Sequence, residues 1–347
     1  MSDDGTDVRG LALRVLKWAV ALGAFWIVAR EVPWRETLTR LADIDPAIVV
    51  AVIAVTVVEF GTRFSMWYAL LGIRETAFAT AARIDLVIKF VNHVVPSKAS
   101  GHSVAPVVIR HYTGREWTDA VTVAGLNTGL YAALYGTVAL VGLLAVATRL
   151  PRGVAAVVAL SVGLYLFAGA TVLAAGRRLD AAGALLGRLE GAVARIPRVG
   201  ARLAGLVAAL PTFTDESAAL FRRRSARPSV VVPYALGWAG TLMVVPGIRV
   251  WLLLGALGQS FAPLWLLPVA LVTAYSVTVL PLTPGGVGVA EASATLVLVS
   301  LGVGEGAAAA VILLDRALGV YLPALLGWVP AARIDLRAVF AAARDGG

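Results

Sequence analysis

The side chains that could do chemistry in this sequence stand inside its apolar stretches. Glu59 and Arg63 fall in the run Pro46 to Leu71, and Asp315 and Arg316 fall in the run Ala307 to Val329. Asn92-His93-Val94-Val95-Pro96-Ser97-Lys98-Ala99-Ser100-Gly101-His102 divides the segment Phe78 to Tyr112. Glu291 closes the stretch Val279-Leu280-Pro281-Leu282-Thr283-Pro284-Gly285-Gly286-Val287-Gly288-Val289-Ala290-Glu291. Charges at membrane depth are costly and normally face the protein interior or a water-filled cavity. Glu59 and Arg63 are four apart, so they share a helix face and can pair, with Glu on the favourable N-terminal side. Lys98, His102 and Arg316 suit a phosphate, and Glu291 and Asp315 suit a cationic headgroup or a coupling proton. His93, His102, Glu291 and Asp315 are also acid and base groups that an enzyme working on lipid-linked substrates could use. Against that enzyme, the sequence has no nucleophile motif, no paired metal-ligand spacing and no nucleotide loop. With no cysteine and only three histidines, no disulfide framework and no metal or other cofactor is expected.

Both interruptions break helices. Pro263 to Leu280 and Ala292 to Val303 are apolar, but each falls short of the roughly 20 residues that span a bilayer comfortably. Between them Pro281, Pro284, Gly285, Gly286 and Gly288 remove backbone donors and allow turns closed to other residues. Lipid cannot satisfy such a backbone, so it must be buried in protein or line a polar cavity. Broken helices of this kind are where transporters build substrate sites. The segment around Pro96, Lys98, Gly101 and His102 repeats the pattern with more polar groups. Its helix is expected to restart near Ser103, and the other near Gly288. Each restarted N-terminus offers unpaired N–H groups to a phosphate.

The remaining chain supplies the frame. At 59% hydrophobic and 15% charged, its 347 residues fall outside the range of soluble globular domains. Full spans are expected at Leu11 to Ala29, Pro46 to Leu71, Thr118 to Thr148, Gly153 to Ala175, Ser229 to Leu257 and Ala307 to Val329. Arg177 to Pro228 carries ten arginines against Asp180, Glu190, Asp215 and Glu216, with leucines at helical spacing between them. That stretch reads as basic amphipathic helices on a membrane surface. A net charge of +9 would suggest nucleic acid in a soluble protein. Here it sits beside apolar spans, so it reads as topology and anionic-lipid contact, without nucleic acid. The acidic, polar N-terminus does not resemble a signal peptide, so the first span is expected to stay in the mature protein.

Placing the arginine-rich stretch in the cytoplasm puts both termini there, in a multi-pass plasma-membrane protein. The two breaks then enter from opposite faces. Setting Pro96 against Pro281 also aligns Val94 with Val279, Gly101 with Gly286, Val104 with Val289 and Ala105 with Ala290. The expectation is an all-α polytopic membrane protein forming one domain over 1–347. It has six full spans plus two broken or re-entrant helical hairpins in an inverted repeat. Residues 46–148 are the first unit, 149–228 the span and basic segment, and 229–330 the second unit.

The run Leu280 to Glu291 resembles the signature of the membrane region of lysylphosphatidylglycerol synthase/flippase (MprF-like) proteins. That pattern is a proline, a small residue, Pro-Gly-Gly, an aliphatic, Gly, an aliphatic and Glu. Gly302-Val303, Arg316 and Arg249 with Gly255 and Gly258 also fit. The earlier motif is weaker: Pro96, Lys98 and Gly101 are present, but His102 stands where the pattern has Glu. The resemblance implies a flippase-like protein that moves a lipid or lipid-linked headgroup, phospholipid or polyprenyl-phosphate, between leaflets. It implies membrane lipids as partners, anionic or polyprenyl-phosphate. The bifunctional members add a soluble aminoacyl-transferase domain, for which no room is expected after the last span. Open alternatives are an accessory partner of a lipid-linked glycosyltransferase or synthase, a membrane-embedded lipid-modifying enzyme, and self-association into a homo-oligomer.

Overall fold

Asp45 opens the first helix, α1 (Pro46–Leu71). Its carboxylate accepts the Ala47 N–H at 2.8 Å, and Pro46 takes a first-turn position where its missing N–H is no loss. The computed structural model describes residues 45–94, 98–181 and 200–334, with isolated positions between 19 and 39. After α1 come α2 (Phe78–Val94), α3 (Lys98–Thr113), α4 (Trp117–Val146), α5 (Arg152–Arg177) and α6 (Gly200–Ser225). Next are α7 (Pro228–Ala239), a π turn (Gly240–Val244), α8 (Val245–Ala256) and α9 (Leu266–Tyr275) with a 3-10 turn (Ser276–Val279). The last described elements are a 3-10 turn (Pro284–Gly286), α10 (Val289–Ser300), α11 (Glu305–Arg316), a π turn (Ala317–Tyr321), α12 (Leu322–Leu326) and α13 (Trp328–Ala331). No strand occurs among the described residues.

Among the described residues, five segments are long and apolar enough to cross a membrane: Pro46–Leu71, Trp117–Val146, Arg152–Arg177, Pro228–Ala256 and Glu305–Ala331. They fall within a few residues of the expected spans. The span expected at Leu11 to Ala29, the centre of the arginine-rich stretch and the tail beyond Ile334 lie largely outside the described residues. The distribution of polarity is that of a membrane protein. Leu144 and Phe167 are 73% and 71% exposed, while Glu59, Arg249 and Glu291 are buried. Only lipid makes an apolar surface over a charged interior favourable.

Two apolar cores hold the bundle. One joins α1 to α5 and α7, and the other joins α8 to α11. Where α4 crosses α5, a Cβ added to Gly169 would lie 2.6 Å from the Ala133 backbone nitrogen, and one on Gly136 would lie 2.8 Å from that of Leu166. Small residues let helix backbones approach in lipid, where dispersion rather than the hydrophobic effect drives association. Near α6, Arg224 pairs with Asp119 at 2.7 Å and donates to the Leu70 carbonyl at 3.0 Å. Arg115 likewise reaches the Leu71 carbonyl. Part of the basic segment therefore caps the C-terminus of α1, as cations favourably do.

That cap also fixes the direction of α2 and α3. Arg115 lies just before α4 and touches Leu71, so the α2–α3 pair begins and ends at the same end of the bundle. α7 and α8 run antiparallel to α1: Arg224, just before α7, meets Leu70, Thr241 meets Thr62 at 2.9 Å, and Arg249 meets Glu59. The C-terminus of α8 is thus at the opposite end. There the α9–α10 pair opens, and a Cβ on Gly304 would lie 3.8 Å from the Gln259 side chain. The two short-helix pairs enter from opposite ends. They meet at the second break, where Pro284–Gly286 packs on α2.

Candidate functional site

The site begins with the pair on α1. Arg63 Nη2 donates to Glu59 Oε1 at 2.6 Å. The other oxygen of Glu59 is taken by Arg249 Nη1 of α8. Arg249 reaches onward to Asp315 of α11, with Nη2 and Nε at 2.6 and 2.8 Å from Oδ1. Tyr275 of α9 donates to Asp315 Oδ2 at 3.1 Å. Arg249 is 1% exposed and lies between the two halves of the chain. Burying charges this deeply is tolerable only when each is paired and hydrogen-bonded, and the chain Arg63–Glu59–Arg249–Asp315 meets that condition.

A π turn makes one more bond available. Ala317–Tyr321 turns the Gly319 carbonyl inward, and Arg63 Nη2 donates to it at 2.7 Å. Gly319 is required for closeness. A Cβ there would lie 2.5 Å from Arg249 Nη2 and 3.2 Å from both Glu59 oxygens.

The break around Pro281 to Gly288 is built for Glu291. Gly285, Gly286 and Gly288 have φ of 60°, 74° and 80°, the left-handed region that side chains rarely adopt. Gly288 then opens α10, and its N–H donates to Glu291 Oε2 at 2.7 Å. Glu291 thereby neutralises the first turn of its own helix. Its other oxygen accepts from Arg316 Nε at 2.8 Å and from the Tyr321 hydroxyl. The Arg316 guanidinium also lies over the rings of Tyr275 and Tyr321, at 5.4 and 5.7 Å.

One face of α2 completes the site. Asp85, Lys89 and His93 recur every four residues and so share that face. Trp67 Nε1 donates to Asp85 Oδ1 at 3.1 Å, and His93 Nδ1 is 2.8 Å from the Lys89 carbonyl. A Cβ on Gly285 would lie 2.8 Å from the His93 ring, so α2 and the break are in direct contact. Lys89 and His93 both lie in the electrostatic field of Arg63 and Arg316. Asp85, Lys89, His93, Tyr131, Tyr275 and Thr278 are half-buried within the bundle. The arrangement is a polar interior within an apolar bundle.

The family model described as lysylphosphatidylglycerol synthase TM region matches residues 14–327. The chain belongs to that family. It is a membrane protein of lipid metabolism or transport. Among curated proteins and among solved structures, none matches it.

In this member of the lysylphosphatidylglycerol synthase TM-region family, Glu59, Arg63, Glu291, Asp315 and Arg316 converge, together with Gly285, Gly286 and Gly288. Pro281 lies exposed at the break. The side chains of Lys98, His102 and Pro284 lie outside the described residues. Helix α3 starts at Lys98 rather than near Ser103, which places Lys98, Gly101 and His102 inside its first turns. Among the described residues, no group of three His, Asp or Glu side chains could hold a metal. The sequence reading missed Asp85, Lys89, Tyr275, Gly319 and Tyr321. The four-residue recurrence of Asp85, Lys89 and His93 in an otherwise apolar arm was the signal available for the first two.

Proposed function

We propose that this protein moves the headgroup of a membrane lipid between leaflets through the polar interior bounded by α1, α2, α9, α10 and α11. The carrying observation is that interior itself. Half-buried Asp85, Lys89 and His93 stand beside paired Glu59, Arg63, Glu291 and Arg316 in a bundle whose outer surface is apolar. A lipid headgroup needs a polar route while its tails remain in hydrocarbon, and this arrangement supplies both. The α2–α3 and α9–α10 pairs act in this reading as re-entrant hairpins of an inverted repeat. They are the elements that close the route alternately from either side. The arginine-rich side is cytoplasmic, as are both termini, and the bilayer is the plasma membrane.

The experiment is leaflet exchange in proteoliposomes, with fluorescent anionic, cationic and polyprenyl-phosphate lipids and an impermeant quencher. The reading expects exchange of one class, with most of it lost in Arg316→Gln. A folded, reconstituted protein that exchanges no class would sink the transport reading. Attention would then pass to an accessory role beside a lipid-modifying enzyme or glycosyltransferase.

A further inference from the structure

The ionic network leaves particular donors over. Glu59 is divided between Arg63 and Arg249, Asp315 is held by Arg249 and Tyr275, and Glu291 by Arg316, Tyr321 and its own helix N-terminus. Each acid of the network is therefore engaged, but not every N–H of its arginines is. Arg63 Nε and Arg316 Nη2 are buried and have no hydrogen-bond partner among the described residues, and the two residues are only 5% and 7% exposed. Lys89 has no ion-pair partner within 4 Å among the described residues. His93 Nε2, against Gly285, is a further buried atom without a partner. Buried donors left unmatched cost free energy, and an ammonium at membrane depth offset by Asp85 only at longer range costs more. An anion is the ligand that relieves both.

We propose that Lys89, together with the free Arg63 Nε and Arg316 Nη2, is the receptor for the phosphate of a lipid headgroup. The donor types fit that chemistry. Guanidinium N–H groups give directed, charge-assisted bonds to phosphate oxygens, and a lysine ammonium adds a point charge without a fixed geometry. A phosphodiester offers two non-bridging oxygens that share one negative charge, with two weaker ester oxygens beside them, and a phosphomonoester offers three such terminal oxygens, so a phosphate can meet several of these donors at once. His93, one turn beyond Lys89 on α2, contacts the second break, so a phosphate held on this face would lie near elements from both halves of the chain. Asp85 is the acid on this face. Trp67 holds one of its oxygens, and the other is unpartnered, open to a hydroxyl or ammonium of the same headgroup.

The inference deepens the transport reading by naming the class of headgroup, and its test separates the two. The full chain in neutral detergent is titrated with dihexanoylphosphatidylglycerol, geranyl phosphate and inorganic phosphate, with uncharged dihexanoylglycerol as the control. Binding of at least one phosphate compound is expected, with the control silent. It should weaken at least about tenfold in Lys89→Gln, as for loss of a charge-assisted contact, and return in Lys89→Arg. The tightest of the three identifies the source as glycerophospholipid, polyprenyl-type lipid or free phosphate. Equal binding of the control, binding unchanged in Lys89→Gln, or no binding of any phosphate compound would overturn the receptor. A second readout needs no variant. In the wild-type chain, acetylation of Lys89 by a water-soluble ester, followed by peptide mass spectrometry, should slow when the phosphate compound is bound, and an unchanged rate would overturn the proposal as well. Phosphate binding without exchange in proteoliposomes would remove transport and leave the receptor. Exchange that is equal for charged and uncharged lipids would do the reverse.

Discussion

Replacing Gly319 with alanine adds one methyl group at the point where three helices exchange charge. The new Cβ would sit 2.5 Å from Arg249 Nη2, too close to be accommodated without movement. The tip of an arginine is ordinarily free to swing away. Here it is held on one side by Glu59 and on the other by Asp315 at 2.6 Å. The π turn must therefore move instead, and it carries the carbonyl that accepts from Arg63 at 2.7 Å. Overpacking of a rigid site costs about 1–3 kcal/mol. A hydrogen bond to a charged group contributes about 1.5–3 kcal/mol. Since the two losses are coupled, a total near 3 kcal/mol is expected. At roughly 2–4 °C per kcal/mol for a chain of this order of size, Tm in detergent should fall by about 6–12 °C. Gly255→Ala is the control, because a Cβ there meets nothing within 4 Å. It should leave Tm unchanged or raise it slightly, since alanine favours helix over glycine. A Gly319→Ala protein as stable as the Gly255→Ala protein would refute the argument that Arg249 is pinned between two acids.

Other substitutions test the remaining joints. Glu291→Gln and Arg316→Gln should each destabilise by about 3–5 kcal/mol by stranding a buried charge, and the double variant by clearly less than their sum. Thermal melts of the four proteins measure that coupling, and strict additivity would mean the 2.8 Å contact carries no energy. Gly286→Ala puts a side chain at φ 74° and 2.9 Å from Thr278 Cγ2. It should cost about 1–3 kcal/mol and reduce lipid exchange, read in the same proteoliposomes. Gly169→Ala should lower Tm by overpacking α4 against α5, while Gly163→Ala, on the same helix with nothing within 4 Å, should not.

The spans were legible because they rest on composition. Pro46–Leu71 was read with the same bounds that the structure gives, and Asp45 with Pro46 marks its start at the level of residue type. The Glu59–Arg63 pair was legible from its spacing of four, which a helix converts directly into contact. Glu291 was legible from the glycines before it, whose positive φ values require that residue type. The joint from Glu59 through Arg249 to Asp315 was not, since residues 190 and 66 positions apart in sequence meet only through the antiparallel packing of α1, α8 and α11. Gly319 was hidden for the same reason, because its role depends on a π turn that no local pattern announces. Lys89 was hidden because a lysine in a short apolar arm reads locally as a surface charge. Its enclosure comes from helices far along the chain.

The central claim is that a polar interior open to water lies inside a bundle whose outer face is in lipid. The chain has no cysteine, so single cysteines can be introduced without background labelling. Thr278→Cys and Phe167→Cys would be treated, in proteoliposomes, with a membrane-impermeant maleimide. Phe167 is the more exposed of the two at 71%, yet it faces lipid on this account, whereas Thr278 is only partly accessible and faces the interior. The account predicts that Thr278→Cys is labelled and Phe167→Cys is not. Labelling of Phe167→Cys with Thr278→Cys silent would mean that the apolar face is wet and the interior dry, and would contradict it.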